Sequence, residues 1–80
     1  MQNAVRFSRE EAQARLGRRV RSVVSLSDIA AGTSGCVVEI DEIDEDGFEL
    51  IVEWDLRIEG KFQHDWFSKE QCERCLIDET

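Results

Sequence analysis

The chain has 80 residues, 41% hydrophobic and 35% charged, and a formal net charge of −8. This length allows one domain, the apolar content excludes a disordered chain, and no apolar run approaches the roughly 20 residues of a membrane span. Because an acidic chain repels phosphate backbones, we do not expect nucleic acid as a partner. The first residues lack the apolar stretch of a signal peptide, so we expect a cytoplasmic protein with no membrane association.

The charge is unevenly distributed along the chain. Residues 1–21 carry six arginines and two glutamates, a net charge of +4, whereas residues 22–80 carry four basic and 16 acidic residues, a net charge of −12. A basic segment of this kind can bind an anionic partner. Alternatively, it packs beside the acidic remainder of its own chain or of a second copy. The candidate contact residues of this basic edge are Arg18, Arg19 and Arg21.

The N-terminal arm, residues 1–17, contains a predicted helix. Ser8 and Glu11 have the spacing of a capping box, in which each side chain accepts a hydrogen bond from the other residue's backbone. Gly17 provides a stop signal. We therefore predict a helix over residues 8–16, at the start of a single domain that spans the chain.

Alternating apolar residues predict strands after this helix. Residues 18–26 alternate, residues 27–34 are small and polar and predict a loop, and residues 35–43 are rich in β-branched side chains. One face of the second strand is predicted to hold Cys36, Val38 and Ile40.

A hairpin and two short elements complete the predicted fold. Asp46-Gly47 is a hairpin turn signal, and the strand after it has one apolar face formed by Phe48, Leu50, Val52 and Trp54. We predict a connection over residues 56–62 and a strand over residues 63–67. Ser68 and Gln71 form a second capping box, which predicts a helical turn before a last strand at residues 75–77.

The order of these elements resembles an SH3-like barrel, a mainly β fold of four or five strands, here with a short N-terminal helix and a short helical turn near the C-terminus. Residues 31–38 (AGTSGCVV) resemble the GT-x-G-x-V-V strand entry of many such barrels. Together, the FSREEA, GTSGCVV, VEWD and DWFSKE segments resemble a group of short uncharacterised bacterial proteins, from Phe7 to about Leu76. SH3-like barrels include peptide binders and subunit adaptors, so the resemblance implies a protein-interaction or adaptor module.

Two tryptophans, each beside an aspartate, supply a candidate binding surface. Alternation places Trp54 in the core, whereas Trp66 and Phe67 are adjacent and cannot both face inward with equal ease. An exposed aromatic ring near acids is what an SH3-like groove uses to hold basic or proline-rich peptides. The hypothesised surface consists of Trp66, Asp65, Asp55 and Phe67. Alternatively, the exposed ring forms a homo-oligomer contact, with a small-ligand or substrate site at the subunit interface.

The cysteines allow a weak metal or redox alternative. Cys72 and Cys75 form a C-x-x-C motif, which occurs in redox pairs and zinc sites, and Cys36 and His64 would complete a Cys₃His set. The last two residues are isolated in sequence, so we favour packed or partly exposed free thiols with no metal and no cofactor.

Two further chemistries are weakly indicated. The acids between Glu42 and Glu53 have the spacing of a calcium loop, but β periodicity on both flanks favours an acidic hairpin. Cys72, His64 and Asp65 are the residue types of a nucleophile, its base and an orienting acid, yet their spacing matches no catalytic motif. We therefore expect no enzyme, except as an oligomer that builds a shared pore.

Overall fold

The computed structural model describes residues 6–44 and 47–79. It contains two short helices and five strands, in the order α1 (Arg9–Arg15), β1 (Arg19–Ser22), β2 (Ser34–Asp44), β3 (Gly47–Ile58), β4 (Lys61–Phe67), α2 (Lys69–Cys75) and β5 (Leu76–Asp78). The predicted fold class is confirmed, because the protein is mainly β with a short helix near each end. Each of the described helices has seven residues, and neither is long or apolar enough to cross a membrane.

The five strands form one open antiparallel sheet in the order β4-β3-β2-β1-β5. The first four strands are neighbours in sequence as well as in space, and α2 carries the chain from β4 to the far side of β1, where β5 pairs. The two edges of the sheet are therefore β4 and β5, which α2 joins directly.

Both predicted capping boxes are confirmed. Ser8 Oγ accepts the Glu11 amide at 3.2 Å, and Glu11 Oε1 accepts the Ser8 amide at 3.0 Å. Ser68 and Gln71 repeat this arrangement at 3.2 and 2.9 Å. Because these side chains satisfy backbone N–H groups that lack helical partners, two helices of only seven residues each have defined starts.

The core lies on one side of the sheet. The predicted inward face of β3 is confirmed, with Trp54 completely buried and packed edge-on against Phe67 at a ring-centroid distance of 6.1 Å. Phe7 and Ala12 belong to the same core, so α1 and the residue at its N-terminal approach pack with the sheet. The buried apolar set is Phe7, Ala12, Val20, Ile29, Val37, Phe48, Leu50, Val52, Trp54, Phe67, Cys72 and Leu76.

The lengths of three strands differ from the sequence prediction. β1 ends at Ser22, because the buried Ser22 hydroxyl bonds the backbone of Val24 and turns the chain out of the sheet. β3 and β4 continue through most of the predicted connection over residues 56–62 and are joined by Glu59-Gly60 alone. Both turn residues have positive φ, as a type I′ two-residue hairpin turn requires.

The prediction that Cys36, Val38 and Ile40 share one face of β2 is wrong, because Cys36 is opposite the outward Glu53 and Ile40 is opposite the buried Leu50. Cys36 is only half-buried, Val38 is 43% exposed, and their neighbour Val37 is buried. A bulge between Val37 and Glu39 places one extra residue in β2, so the inward position passes from Val37 to Ile40. A prediction from strict alternation cannot detect such an inserted residue.

Candidate functional site

Trp66 lies on the outer side of the sheet, opposite the core. It is 52% exposed, and its indole Nε1 donates to Asp41 Oδ2 at 3.3 Å. Trp66 belongs to β4 and Asp41 to β2, with β3 between them. Because strands are about 4.8 Å apart, this hydrogen bond requires the indole to reach across β3 over roughly 10 Å.

The pairing register defines the surroundings of this ring. Trp66 is opposite Ile51 on β3, and Ile51 is opposite Glu39 on β2, so these three side chains form a row across the outer side. Asp41 and Glu53 are the next outward residues on either side of that row. We call the surface formed by Trp66, Ile51, Glu39, Asp41 and Glu53 the tryptophan face.

Asp65 and Phe67, the neighbours of Trp66, are turned to the inner side. Phe67 is buried in the core, and Asp65 Oδ2 accepts the indole N–H of Trp54 at 2.8 Å. Asp65 therefore satisfies the polar atom of a completely buried tryptophan. Of the hypothesised surface, Trp66 alone is presented outward from β4 as an aromatic contact.

Asp55 is engaged with the basic segment. Both guanidinium nitrogens of Arg19 reach its carboxylate, with Arg19 Nη1 at 3.2 Å from Asp55 Oδ1. The hydrogen bonds from Arg19 lower the pKa of Asp55, and those to Asp55 raise the pKa of Arg19. The pair thus joins Arg19 of β1 to Asp55 of β3 across the intervening β2.

The remaining arginines of the basic edge are distributed differently. Arg18 and Arg15 each approach Asp78, at 3.5 and 3.7 Å, whereas Arg21 is exposed beside Ser34 and Ile77. Lys69 of α2 also binds Glu11 of α1 at 3.1 Å. The basic segment therefore packs beside acids of its own chain, and Arg21 is its most available cation.

The cysteines and His64 are divided between the two sides of the sheet. Cys72 is 3% exposed in the core, whereas Cys36 is opposite Glu53 in the outer row that also contains His64. His64 Nε2 lies 3.1 Å from Glu53 Oε2. In the described part of the chain, no three His, Cys, Asp or Glu side chains are placed to hold a metal ion. The calcium-loop pattern includes Glu45 and Asp46, which lie outside the described residues.

Burial also governs the chemistry of the C-x-x-C motif. Loss of solvation raises the pKa of the Cys72 thiol to about 11, so Cys72 carries little of the thiolate that redox exchange and zinc binding require. His64, Asp65 and Cys72 are not assembled into a catalytic set, because they bond or pack with Glu53, Trp54 and the core respectively.

No protein-family model, curated protein or solved structure matches this chain. The resemblance to SH3-like barrels and to short bacterial proteins therefore stays a prediction from its motifs. Sequence reasoning singled out Trp66 but missed Asp41, Glu39 and Ile51 as its neighbours. Period-two alternation alone would have placed Glu49, Ile51 and Glu53 outward, but only the pairing register shows which residues of β2 lie beside them.

Proposed function

We propose that this protein is a cytoplasmic protein-interaction or adaptor module and that the tryptophan face is its contact surface. The single observation that carries the proposal is the half-exposed Trp66 ring on the outer side of the sheet. Tryptophan is among the residues most enriched at the energetic centres of protein interfaces. A shallow pocket at the corner of β4 and α2 adjoins the ring and is lined in part by Leu26, Gln71 and Cys75.

The environment of Trp66 supports this role. Its indole N–H is already held by Asp41, so a partner that packs on the ring does not bear the whole cost of ordering it. Ile51 lies beside Trp66 in the row and adds apolar surface to it. Carboxylates surround these two side chains. An apolar centre with a polar rim is the usual anatomy of an interface.

The test is a pull-down from the native host with a matched pair of variants. Trp66→Ala removes the exposed ring of the tryptophan face, and Phe62→Ala removes another exposed ring of the same strand, near the hairpin turn. Neither side chain is in the core, so both variants should fold, each with a thermal midpoint lowered only by the loss of its own surface contact, with Asp41 for Trp66 and with Arg57 for Phe62. We expect the same partners with wild type and Phe62→Ala, and their loss with Trp66→Ala.

Two outcomes would contradict the proposal. Partners that persist with Trp66→Ala would place the contact surface elsewhere. A stable dimer or tetramer in sedimentation that dissociates only in Trp66→Ala would assign the face to self-association instead, with any small-ligand site at the subunit interface.

A further inference from the structure

The tryptophan face carries two carboxylates, on Glu39 and Asp41, that no basic side chain of the described residues pairs with. Within the described residues, the Glu39 side chain makes no hydrogen bond or ion pair, and the Asp41 carboxylate is bonded only to the indole of Trp66. Glu53 is bonded to His64. Three described arginines have contacts away from this face: Arg19 pairs with Asp55, Arg57 of β3 stacks on Phe62, and Arg6 lies over Gly47, where it shares a pocket with Glu49.

The exposed indole and these carboxylates are complementary to one type of side chain. The face of a tryptophan ring attracts cations more strongly than that of any other aromatic residue. A guanidinium group can stack on the ring while its N–H fork binds a carboxylate at the rim, which the compact ammonium of lysine cannot do as well. One Asp41 oxygen accepts the indole N–H, which leaves the other oxygen as an acceptor at the edge of the ring.

From this geometry we infer that the tryptophan face recognises a peptide segment of a protein partner through an arginine side chain, stacked on Trp66 and bonded to Asp41 or Glu39. This inference rests on the proposed function and adds the chemistry of the partner. The net charge of −8 favours the approach of basic segments over acidic ones. Arginine recognition also accounts for carboxylates placed around an exposed aromatic ring.

The test is a titration followed by two-dimensional ¹H–¹⁵N NMR, which detects weak binding residue by residue. The probe is a capped Gly/Ser nonapeptide with two arginines, and its controls replace both arginines by lysine or by uncharged citrulline. We expect the arginine peptide to shift the indole signal of Trp66 and the amides of Ile51 and Asp41, while the indole signal of Trp54 stays fixed. The lysine peptide should bind more weakly, and the citrulline peptide should produce no shift.

Charge-matched variants localise the binding. Asp41→Asn preserves an acceptor for the Trp66 indole but removes the charge, and it should weaken binding of the arginine peptide about 3- to 10-fold. Glu59→Gln removes one charge at the distant hairpin turn and should leave the affinity unchanged. Raising the salt to 0.5 M should weaken the wild-type interaction, because exposed charges are screened.

Several results would overturn the inference. These are equal shifts with arginine and citrulline peptides, shifts confined to the β5 acids Asp78 and Glu79, or equal losses in Asp41→Asn and Glu59→Gln. If host partners depend on Trp66 while the arginine peptide leaves its indole signal unmoved, the proposed function stands and arginine recognition fails. If the partners are also independent of Trp66, both proposals fail.

Discussion

The Trp54 indole and the Asp65 carboxylate illustrate how one hydrogen bond decides the role of a residue. A completely buried indole N–H needs an acceptor, and Asp65 Oδ2 supplies it at 2.8 Å. From the sequence, Asp65 was an acid beside an exposed aromatic and therefore a binding candidate. Because Phe67 is buried, alternation along β4 also places Asp65 on the inner side, but hydrophobic patterns do not reveal that its carboxylate pairs with the Trp54 indole.

The buried Cys72 thiol predicts how the stability of the protein depends on alkaline pH. Its thiol has a pKa of about 11 in the folded protein against 9.0 for the unperturbed group, so the folded state keeps a proton that the unfolded state releases. The stabilisation is therefore complete below about pH 9 and is lost as the pH rises toward 11. We expect wild type to lose about 1–2 kcal/mol of unfolding free energy across this window from Cys72 alone.

The measurement is urea unfolding at pH 7.5, 9 and 10.5. Cys72→Ala should be less stable at pH 7.5 because of the lost packing, and its stability should decline less at alkaline pH. Cys75→Ala, which alters the more exposed thiol of the same helix, should follow the wild-type profile. An alkaline decline in Cys72→Ala as steep as that of wild type would show that the buried thiol does not control it.

Among the elements, the β3–β4 hairpin contains the clearest local conflict between sequence and conformation. Its two turn residues, Glu59 and Gly60, have φ of 54° and 81°. Glycine adopts this left-handed region freely, whereas a glutamate there is disfavoured. The sequence predicted a long connection because Glu-Gly is a weaker turn signal than Asn-Gly.

Replacing Glu59 with asparagine should therefore stabilise the protein. Asn tolerates the left-handed region and is preferred at the first position of this turn type, so we expect a gain of about 0.5–1 kcal/mol in chemical denaturation. Glu59→Ala removes the same charge but keeps a side chain unsuited to positive φ, and it should give no comparable gain. Equal stabilisation in both variants would attribute the effect to charge instead.

The β-bulges explain most of what the sequence could not predict at this scale. Capping signals correctly located the two helices, with the short last strand after the second of them, and alternation correctly located the four-residue apolar face of β3. It failed at Val38, because a bulge adds a residue without changing composition. Another irregularity, between Glu53 and Arg57, lets β3 extend into the hairpin beyond the point where alternation ends.

At the scale of the whole molecule, arginines of the basic segment are paired with acids from later in the chain. The basic segment contributes α1 and β1 to the fold, and its arginines form ion pairs with acids of the remainder, such as Arg19–Asp55 and Arg18–Asp78. Composition showed the asymmetry but could not show which acids would meet the arginines, since they are distant in sequence. The structure supports the interpretation that the N-terminal segment, with Phe7 in the core, is part of the domain.

The Arg19–Asp55 pair gives this arrangement a pH dependence. Arg19 lowers the pKa of Asp55 in the folded state, so the stabilisation is present above the ordinary pKa of an aspartate, about 4, and is lost as the pH falls through the lower folded value. Asp55→Asn should be less stable than wild type at pH 7 and nearly equal to it at pH 2–3. Urea midpoints at both pH values measure this.

The matched control is Asp28→Asn, which changes an exposed loop acid that makes no hydrogen bond or ion pair within the described residues. It should match wild type at both pH values. A constant difference between wild type and Asp55→Asn from pH 7 to pH 2–3 would show that the ion pair is not the source.

The opposite environments of the two tryptophans give the chain a pair of optical reporters. Trp54, completely buried and bonded to Asp65, should emit at shorter wavelength and resist acrylamide, whereas the 52% exposed Trp66 should emit at longer wavelength and be quenched readily. Loss of the protected component would report unfolding, and protection of the accessible component would report occupancy of the outer surface. Tryptophan emission of the unlabelled protein, recorded with and without acrylamide, thus separates unfolding from binding at the outer surface.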